Sequence, residues 1–216
     1  MTDVSEEGPH QGQPLETAGT PLEEATAAMV LVHGRGASAR SILQFGRQVH
    51  EDGLALLAPQ AARRVWYPQS FLAPVLANEP GRSSGVAAIE AAITRAESAG
   101  MDRESIVLAG FSQGACLVSE FVANDPRRYG GLAVLSGGLL GETVDPDSYD
   151  GNLEGTPVFI GCGDRDRHIP PERVRATEAA FETLGGDVDC RLYEGMGHQV
   201  NDEEIEAVVQ IVGGVC

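Results

Sequence analysis

The 216-residue chain contains no lysine, so all fifteen of its cationic side chains are arginine. Aspartate and glutamate number 32, which gives a formal net charge of −17 and a sequence pI near 4.5. Nucleic acids and anionic membranes are bound by clusters of Lys and Arg, and the arginines form no such cluster in the sequence. The composition therefore argues against nucleic acid or a membrane as a partner.

A GC-rich genome explains the missing lysine through codon usage, but it explains the excess of acids less well. Dense surface carboxylates repel one another until counterions screen their charge. We therefore hypothesise that the protein is adapted to a saline environment.

Cysteine is scarce and its spacing is uninformative. Cys116, Cys162, Cys190 and Cys216 form no C-x-x-C pair, and three of them fall within predicted strands or helices. We interpret them as small buried apolar residues rather than as disulfides or metal ligands. The chain also lacks an apolar run long enough to span a bilayer and the basic and apolar regions of a signal peptide. These absences predict a soluble cytoplasmic protein with no metal and no cofactor.

Residues 1–26 are rich in Glu, Gly, Pro, Gln and Thr. This composition predicts a disordered acidic arm, in which His10 has no chemistry of its own. Residues 27–216 are long enough for a single α/β domain with a full hydrophobic core.

From Ala27 onward, short apolar runs alternate with longer segments of helical period, including a stripe at Ile205, Val208, Val209 and Val212. This alternation predicts a mostly parallel sheet of about six to seven strands with helices on both faces. The predicted strands are residues 28–32, 55–58, 105–109, 131–135, 157–162 and 188–193. Two long irregular stretches, residues 60–82 and 136–156, are loops of the kind that carry binding sites in open α/β sheets.

The most informative motif is Gly-Phe-Ser-Gln-Gly at residues 110–114, which lies between the third predicted strand and a helix-like segment. A Gly-x-Ser-x-Gly sequence between a strand and a helix is typical of a nucleophile elbow, a sharp turn that exposes the serine hydroxyl. The alternative is an ordinary βα turn, since Gly and Ser are common turn residues. The elbow makes Ser112 the candidate nucleophile.

Serine needs a base within hydrogen-bond reach and an acid that orients the base. In this architecture the acid and then the histidine follow the serine along the chain. Asp164 and Asp166 both follow the fifth predicted strand, and the residues alone do not choose between them. His198 follows the last strand, whereas His10 lies in the arm, His50 ends a predicted helix and His168 adjoins the candidate acids.

Acyl transfer also requires two N–H donors for the negative charge that develops on the substrate oxygen. One is predicted at Gln113, the residue after the nucleophile. The other is predicted in His33-Gly34-Arg35-Gly36, directly after the first predicted strand, from Arg35 or Gly36. The alternative, a phosphate-binding glycine loop, lacks the Lys-Ser/Thr of a P-loop and the third glycine of a dinucleotide fingerprint.

These residues together resemble the α/β-hydrolase superfamily, in its small capless bacterial phospholipase/carboxylesterase branch, which is similar to acyl-protein thioesterases. The resemblance runs from about Met29 to Val212. It is carried by the motifs Leu-Val-His-Gly-Arg-Gly at 31–36, Ala-Pro-Gln at 58–60, Trp-Tyr at 66–67, Gly-Phe-Ser-Gln-Gly at 110–114, Gly-x-x-Asp-x-x-Ile-Pro at 163–170 and Gly-His at 197–198.

The resemblance implies Asp166 as the acid, the amides of Arg35 and Gln113 as the oxyanion hole, and a scaffold role for His33. It also implies that the segment with Trp66, Phe71 and Leu72 walls the acyl pocket, although a lone Trp in a loop is as often a core anchor. Many relatives have an apolar residue in place of Arg35. The cation either favours substrates with a carboxylate or other polar head, or it points to solvent and pairs with an acid.

The resulting expectation is a cofactor-free serine carboxylesterase that acts on small esters with short acyl chains, as a monomer or homodimer. Within enzymes, the alternatives are an acyl thioesterase, a lysophospholipase, a lactone hydrolase or an acyltransferase. Outside enzymes, the alternative is a hydrolase-fold binding or sensor protein without turnover.

Overall fold

The computed structural model describes residues 8–49 and 51–216, so His50 and residues 1–7 of the predicted arm lie outside the described residues. In this part of the chain, seven strands form one sheet in the order β1-β3-β2-β4-β5-β6-β7. The strands are β1 (Leu15–Gly19), β2 (Ala27–Val32), β3 (Leu54–Pro59), β4 (Ile106–Phe111), β5 (Gly131–Leu135), β6 (Pro157–Gly163) and β7 (Asp187–Tyr193). β1 runs antiparallel to β3, and the other neighbours are parallel.

Helices cover both faces of the sheet. They are α1 (Ala39–Gly46), α2 (Gly81–Glu97), α3 (Gln113–Asn124), α4 (Pro171–Thr183) and α5 (Asp202–Gly213). The core on one face contains side chains of α2, α3 and α4, and the core on the other contains those of α1 and α5. β2, β3 and β5 are buried at every residue, which explains why the sequence shows them as unbroken apolar runs.

The prediction of a disordered arm is wrong for residues 8–26. Leu15–Gly19 is a strand whose residues pair in register with β3, from Leu15 opposite Pro59 to Gly19 opposite Ala55. His10 is 4% exposed, and its ring bonds to the backbone of Ala62 and Trp66. An edge strand keeps much of its surface in water, so a polar composition does not distinguish it from a disordered segment.

The parallel order brings the ends of β2, β4, β6 and β7 to one edge of the sheet. The loops at this carboxyl edge contain the sequence-predicted site residues. The two predicted irregular stretches remain mostly irregular and contain short 3₁₀ turns at Ala62–Arg64, Val75–Asn78 and Pro146–Ser148. The described segment between β5 and β6 thus contains one such turn and no cap of longer elements.

Cys116 and Cys162 are buried as expected, whereas Cys190 is half-buried and Cys216 is exposed. The cysteines on β7 and after α5 depart from the prediction because an edge strand and a chain end are less covered by the core. Among the helices of the described residues, none combines the length and apolarity that crossing a bilayer requires.

Candidate active site

Ser112 lies in a strained turn between β4 and α3, with φ +56° and ψ −120°. Residues other than glycine rarely adopt a positive φ, and such strain persists only where the surrounding structure holds it. A Cβ on Gly114 would lie 2.1 Å from the carbonyl oxygen of Val32, and one on Gly110 would lie 2.5 Å from the backbone of Gly114. Both glycines of the motif are therefore required by close backbone approach.

Three predicted residues form a continuous chain of hydrogen bonds. The Ser112 hydroxyl lies 2.9 Å from His198 Nε2, and His198 Nδ1 lies 2.6 Å from Asp166 Oδ2. An ionised carboxylate can only accept, so Nδ1 of a neutral imidazole donates to Asp166 and leaves Nε2 free to accept from serine. The arrangement can remove a proton from Ser112 and stabilise the imidazolium that results.

Asp166 is held in place by backbone amides. Its Oδ1 accepts from the N–H groups of His168 at 2.8 Å and Ile169 at 3.2 Å. Burial opposes ionisation of this carboxyl, but the bonds from His198 and from the two amides outweigh it and hold the pKa below its usual value. Asp166 therefore faces His198 as a carboxylate.

Asp164, the competing acid, faces elsewhere. Its Oδ1 accepts from the N–H of Gly195 at 2.7 Å, which fastens the loop after β6 to the loop after β7. A Cβ on Gly163 would lie 2.1 Å from the carbonyl oxygen of Met196, so this glycine allows the two loops to touch. The resulting contact brings Asp166, on the loop after β6, and His198, on the loop after β7, into one site.

The His198 imidazole is enclosed by two aromatic rings. The ring centroid of Phe111 lies 4.9 Å from that of His198, and so does the centroid of His168, which meets it edge-on at 65°. The sequence assigns neither residue a role: His168 is only a histidine beside the candidate acids, and Phe111 is only a member of the Gly-x-Ser-x-Gly motif. The position of His168 two residues after Asp166 was the available signal, because the amide of His168 bonds to the carboxylate that orients His198.

The two residues predicted for the oxyanion hole flank Ser112. Within the described residues, the N–H groups of Arg35 and Gln113 donate to no protein acceptor, so both are available to a substrate oxygen. The Gln113 side chain accepts from the N–H of Trp66 at 2.9 Å and donates to the carbonyl of Tyr67 at 2.8 Å. Arg35 Nη2 donates to the same Tyr67 carbonyl at 2.7 Å. Both side chains thus fix the 66–69 segment against the site.

His33 contacts the backbone and is fully buried. Its Nδ1 lies 2.8 Å from the carbonyl of Gly34, and its Nε2 accepts from the N–H of Ala61 at 3.2 Å. Burial lowers the pKa of this imidazole and favours the neutral form that these two contacts need. His33 ties the loop after β2 to the loop after β3.

A cavity of about 530 Å³ opens above Ser112. Its lining residues include Arg35, Tyr67–Phe71, Ser112, Gln113, Cys116, His168, Ile169 and His198. Phe71 is therefore in the predicted position, and the Arg173 guanidinium stacks over its ring at 5.6 Å.

The structure does not support Trp66 and Leu72 as lining residues. Trp66 has no exposed surface, and its indole N–H donates to the carbonyl of His33 at 2.8 Å. It is a core anchor beneath the site because its ring packs between the imidazoles of His10 and His33. Leu72 packs against the same core cluster and is absent from the cavity lining. A loop segment alternates between core and solvent without a fixed period, so the sequence does not reveal which of its apolar residues face the cavity.

A family model described as phospholipase/carboxylesterase matches residues 17–213. The chain belongs to this family. It is similar to the crystal structure of the phospholipase/carboxylesterase from Dyadobacter fermentans DSM 18053, at 36% identity and a TM-score of 0.88, over 93% of this chain and 96% of that one. The fold is the α/β-hydrolase fold that the sequence predicted.

Among curated relatives, acyl-protein thioesterase 1 of Kluyveromyces lactis is 35% identical over 61% of this chain and 59% of its own length. A probable carboxylesterase of Arabidopsis thaliana is 26% identical over 62% of this chain and 52% of its own. The chain thus spans about half to three fifths of the curated relatives it matches. The Bacillus cereus carboxylesterase shares the fold, with a TM-score of 0.75 over 95% of this chain and 96% of that one, at 16% identity.

Proposed function

We propose that this protein is a serine hydrolase that cleaves small carboxylic esters with short acyl chains. The proposal rests on one observation: a chain of hydrogen bonds links Ser112, His198 and Asp166 beside an open cavity. Membership of the phospholipase/carboxylesterase family supports hydrolysis of esters or thioesters.

In the proposed mechanism, His198 Nε2 takes the hydroxyl proton as Ser112 Oγ attacks the ester carbonyl carbon. The amides of Arg35 and Gln113 stabilise the oxyanion of the tetrahedral intermediate. His198 then gives its proton to the departing alkoxide, and an acyl-serine remains. Water, deprotonated by the same histidine, attacks the acyl-serine and releases the carboxylic acid.

The cavity lining supports a preference for short acyl chains. Gln69, Ser70 and His168 interrupt the apolar surface that Tyr67, Phe71 and Ile169 provide. The described part of the chain places no continuous apolar channel beside Ser112 for a long acyl chain. Shortening the acyl group therefore sacrifices little buried apolar area.

A thioesterase is the second candidate, since the Kluyveromyces lactis relative is an acyl-protein thioesterase. The same acyl-serine chemistry serves both substrates, and the leaving thiolate needs less help from His198 than an alkoxide does. Parallel rates on p-nitrophenyl acetate, p-nitrophenyl octanoate and an acetyl thioester of matched concentration distinguish the candidates.

The Ser112→Ala variant tests the nucleophile. We expect it to fold and to lose about a thousandfold or more of kcat on p-nitrophenyl acetate, because no other group can form the acyl-enzyme. A fluorophosphonate probe should label the wild type and not this variant. Ser98→Ala, at an exposed position after α2, is the matched control and should retain labelling and rate. Retained turnover in Ser112→Ala would refute the mechanism, and an unlabelled, inactive wild type would favour a binding protein.

A further inference from the structure

The Arg35 guanidinium projects from the loop after β2 to the cavity wall. Its Nη2 donates to the backbone carbonyls of Tyr67 at 2.7 Å, Pro68 at 3.2 Å and Gln69 at 2.9 Å. These bonds fix the group in position but use only one of its three nitrogens. Nε and Nη1 have no acceptor among the residues that the structure describes, and no carboxylate there pairs with Arg35.

The cavity differs in charge from the rest of the molecule. The whole chain has a net charge of −17, yet the cavity lining contains Arg35 and two histidines and no carboxylate. Asp166 lies behind His198 with a fully buried side chain, and both of its oxygens already accept hydrogen bonds. An anion in the cavity would therefore meet a cation and no adjacent acid.

Arginines without a carboxylate partner are concentrated at this edge of the sheet. Seven of the fifteen arginines form ion pairs within the described residues, and eight do not. Six of those eight, Arg35, Arg63, Arg64, Arg165, Arg167 and Arg173, lie in the loops after β2, β3 and β6 or in the first turn of α4. Acids also lie near this edge, including Glu79, Glu142, Asp164, Glu172 and Glu194, but none of them lines the cavity. The cation without a neighbouring carboxylate is therefore a property of the cavity lining and not of the whole edge.

The geometry of the reaction assigns Arg35 to the acyl half of a substrate. His198 Nε2 must reach the leaving oxygen, so the alcohol half lies toward His198 and His168. The acyl half then extends away from the imidazole, along the wall formed by Arg35 and the 67–71 segment. A charged group a few bonds from the carbonyl would lie against the guanidinium there.

We infer that the preferred substrates are half-esters of dicarboxylic acids, whose free carboxylate accepts a hydrogen bond from either Nε or Nη1 of Arg35. This inference rests on the proposed ester hydrolysis and adds the chemical class of the acyl group. The ester C–O bond to the alcohol breaks, the alcohol leaves with the proton from His198, and water releases a dicarboxylate from Ser112. The guanidinium is well suited because it is a cation held in a fixed position with N–H donors left free by the described residues, and hydrogen bonds between charged groups are stronger than those between neutral ones.

The test compares monoethyl adipate with ethyl hexanoate, two esters of equal acyl length that differ in a terminal carboxylate. Hydrolysis is followed by pH-stat titration in dilute buffer. We expect kcat/KM for monoethyl adipate to exceed that for ethyl hexanoate by about tenfold, the lower end for a charge-assisted hydrogen bond at a solvent-accessible site. The preference should shrink as KCl rises, because salt screens the accessible ion pair.

Arg35→Gln and Arg35→Lys separate the charge from the bonds that hold the wall. We expect Arg35→Gln to reduce the ratio of the two kcat/KM values to about one, whatever it does to either rate, because the cation is gone. Arg35→Lys should retain part of the preference, since it keeps the charge but loses the carbonyl bonds that fix the guanidinium in position. Arg47→Gln is the matched control, because it makes the same change in net charge. Arg47 is exposed at the end of α1 and does not line the cavity. Both rates should be unchanged in Arg47→Gln.

The outcomes distinguish this inference from the proposed function. Hydrolysis of ethyl hexanoate with no preference for monoethyl adipate would overturn the carboxylate site and leave the esterase intact. An equal fall of both rates in Arg35→Gln, with the ratio unchanged, would show that Arg35 only braces the wall. Failure of the wild type on both esters and on p-nitrophenyl acetate would refute the proposed function itself.

Discussion

Asp164 and Asp166 stand two residues apart, and their carboxylates make different contacts. Asp166 accepts from His198, whereas Asp164 accepts from the N–H of Gly195 on the neighbouring loop. The sequence placed both acids after the correct strand. It did not choose between them from local residues alone, because a turn of this type supports either side chain and only the loop after β7 shows which one meets the imidazole.

We expect Asp166→Asn to lower kcat about a thousandfold or more while the fold persists. The amide offers N–H or C=O to His198, so the Nδ1–H tautomer is no longer enforced and the imidazolium loses its counter-charge. Asp164→Asn is the matched control, since the amide oxygen still accepts from Gly195, and its kcat should remain near that of the wild type. Steady-state rates on p-nitrophenyl acetate measure both. The reverse order of effects would assign the acid to Asp164.

Glu204 is a buried acid outside the proposed triad. Oε2 accepts from the N–H of Asn201 at 2.8 Å and so caps α5, but Oε1 has no hydrogen-bond partner among the described residues and lies against Gly161. Burial raises the pKa of this carboxyl to about 7. The unfolded chain releases the proton at a lower pH, near 4.5. The free energy of unfolding therefore falls as pH rises from about 4.5 to about 7, because the buried carboxyl ionises less readily in the folded state.

The Glu204→Gln variant should therefore gain stability over the wild type as pH rises. The difference in the free energy of unfolding should be small near pH 4.5, grow toward pH 7 and then level off, at up to about 3 kcal/mol. Urea denaturation across this range measures it. Glu203→Gln, at the exposed neighbouring position, should show no such trend. A difference that is constant with pH would mean that Glu204 does not take up a proton on folding.

The amino-terminal segment contains a strand, β1, that its composition does not reveal. β1 is five residues long and pairs on one side only, so its burial alternates irregularly and its composition is polar. His10, just before it, reaches into the structure. Nδ1 accepts from the N–H of Ala62 at 3.1 Å and Nε2 lies 2.8 Å from the carbonyl of Trp66, so this element braces the loop that walls the site.

Replacing His10 with Ala should lower the free energy of unfolding by about 1–3 kcal/mol, because two buried backbone groups lose their partners. Gln13→Ala, at an exposed position of the same segment, should have little effect. Burial lowers the pKa of His10, so wild-type His10 contributes its full stabilisation above about pH 6.5 and loses it as pH falls below that value. Equal stability of His10→Ala and the wild type at about pH 7.5 would show that the hydrogen bonds of His10 contribute nothing to the stability of the fold.

At the scale of the whole molecule, two opposite charge distributions coexist. Acids outnumber arginines by 32 to 15, and unpaired arginines gather at the carboxyl edge of the sheet. The net charge read from the sequence is a sum, and it does not show where the cations lie. Chain folding brings arginines from separate loops to one edge and leaves Arg35 in a cavity lining that contains no carboxylate.

The acid excess leads to a prediction on salt. Compaction brings like charges together, so screening should stabilise the folded protein more than the unfolded chain. We expect the Tm to rise when KCl increases from about 0.05 to 2 M. A variant with Glu23→Gln, Glu24→Gln and Asp52→Asn removes three exposed acids that form no ion pair with another described residue, and it should show a smaller rise. A flat or falling Tm in the wild type would contradict salt adaptation.

The sequence by itself determined the parallel sheet, the turn at Ser112 and the order in which the candidate nucleophile, acid and base follow one another along the chain. Buried parallel strands need unbroken apolar runs, and a turn as tight as that at Ser112 needs glycine on both sides. Neighbouring residues in the sequence are therefore enough to predict these features. The resemblance implied Asp166, but the local residues left Asp164 open, and the tertiary structure showed that Asp166 meets His198. Only the tertiary structure decided that Trp66 lies beneath the site rather than in it and that residues 8–26 join the sheet. Each of these depends on contacts between segments far apart in the chain, and the spacing of residues along one segment does not encode what packs against it.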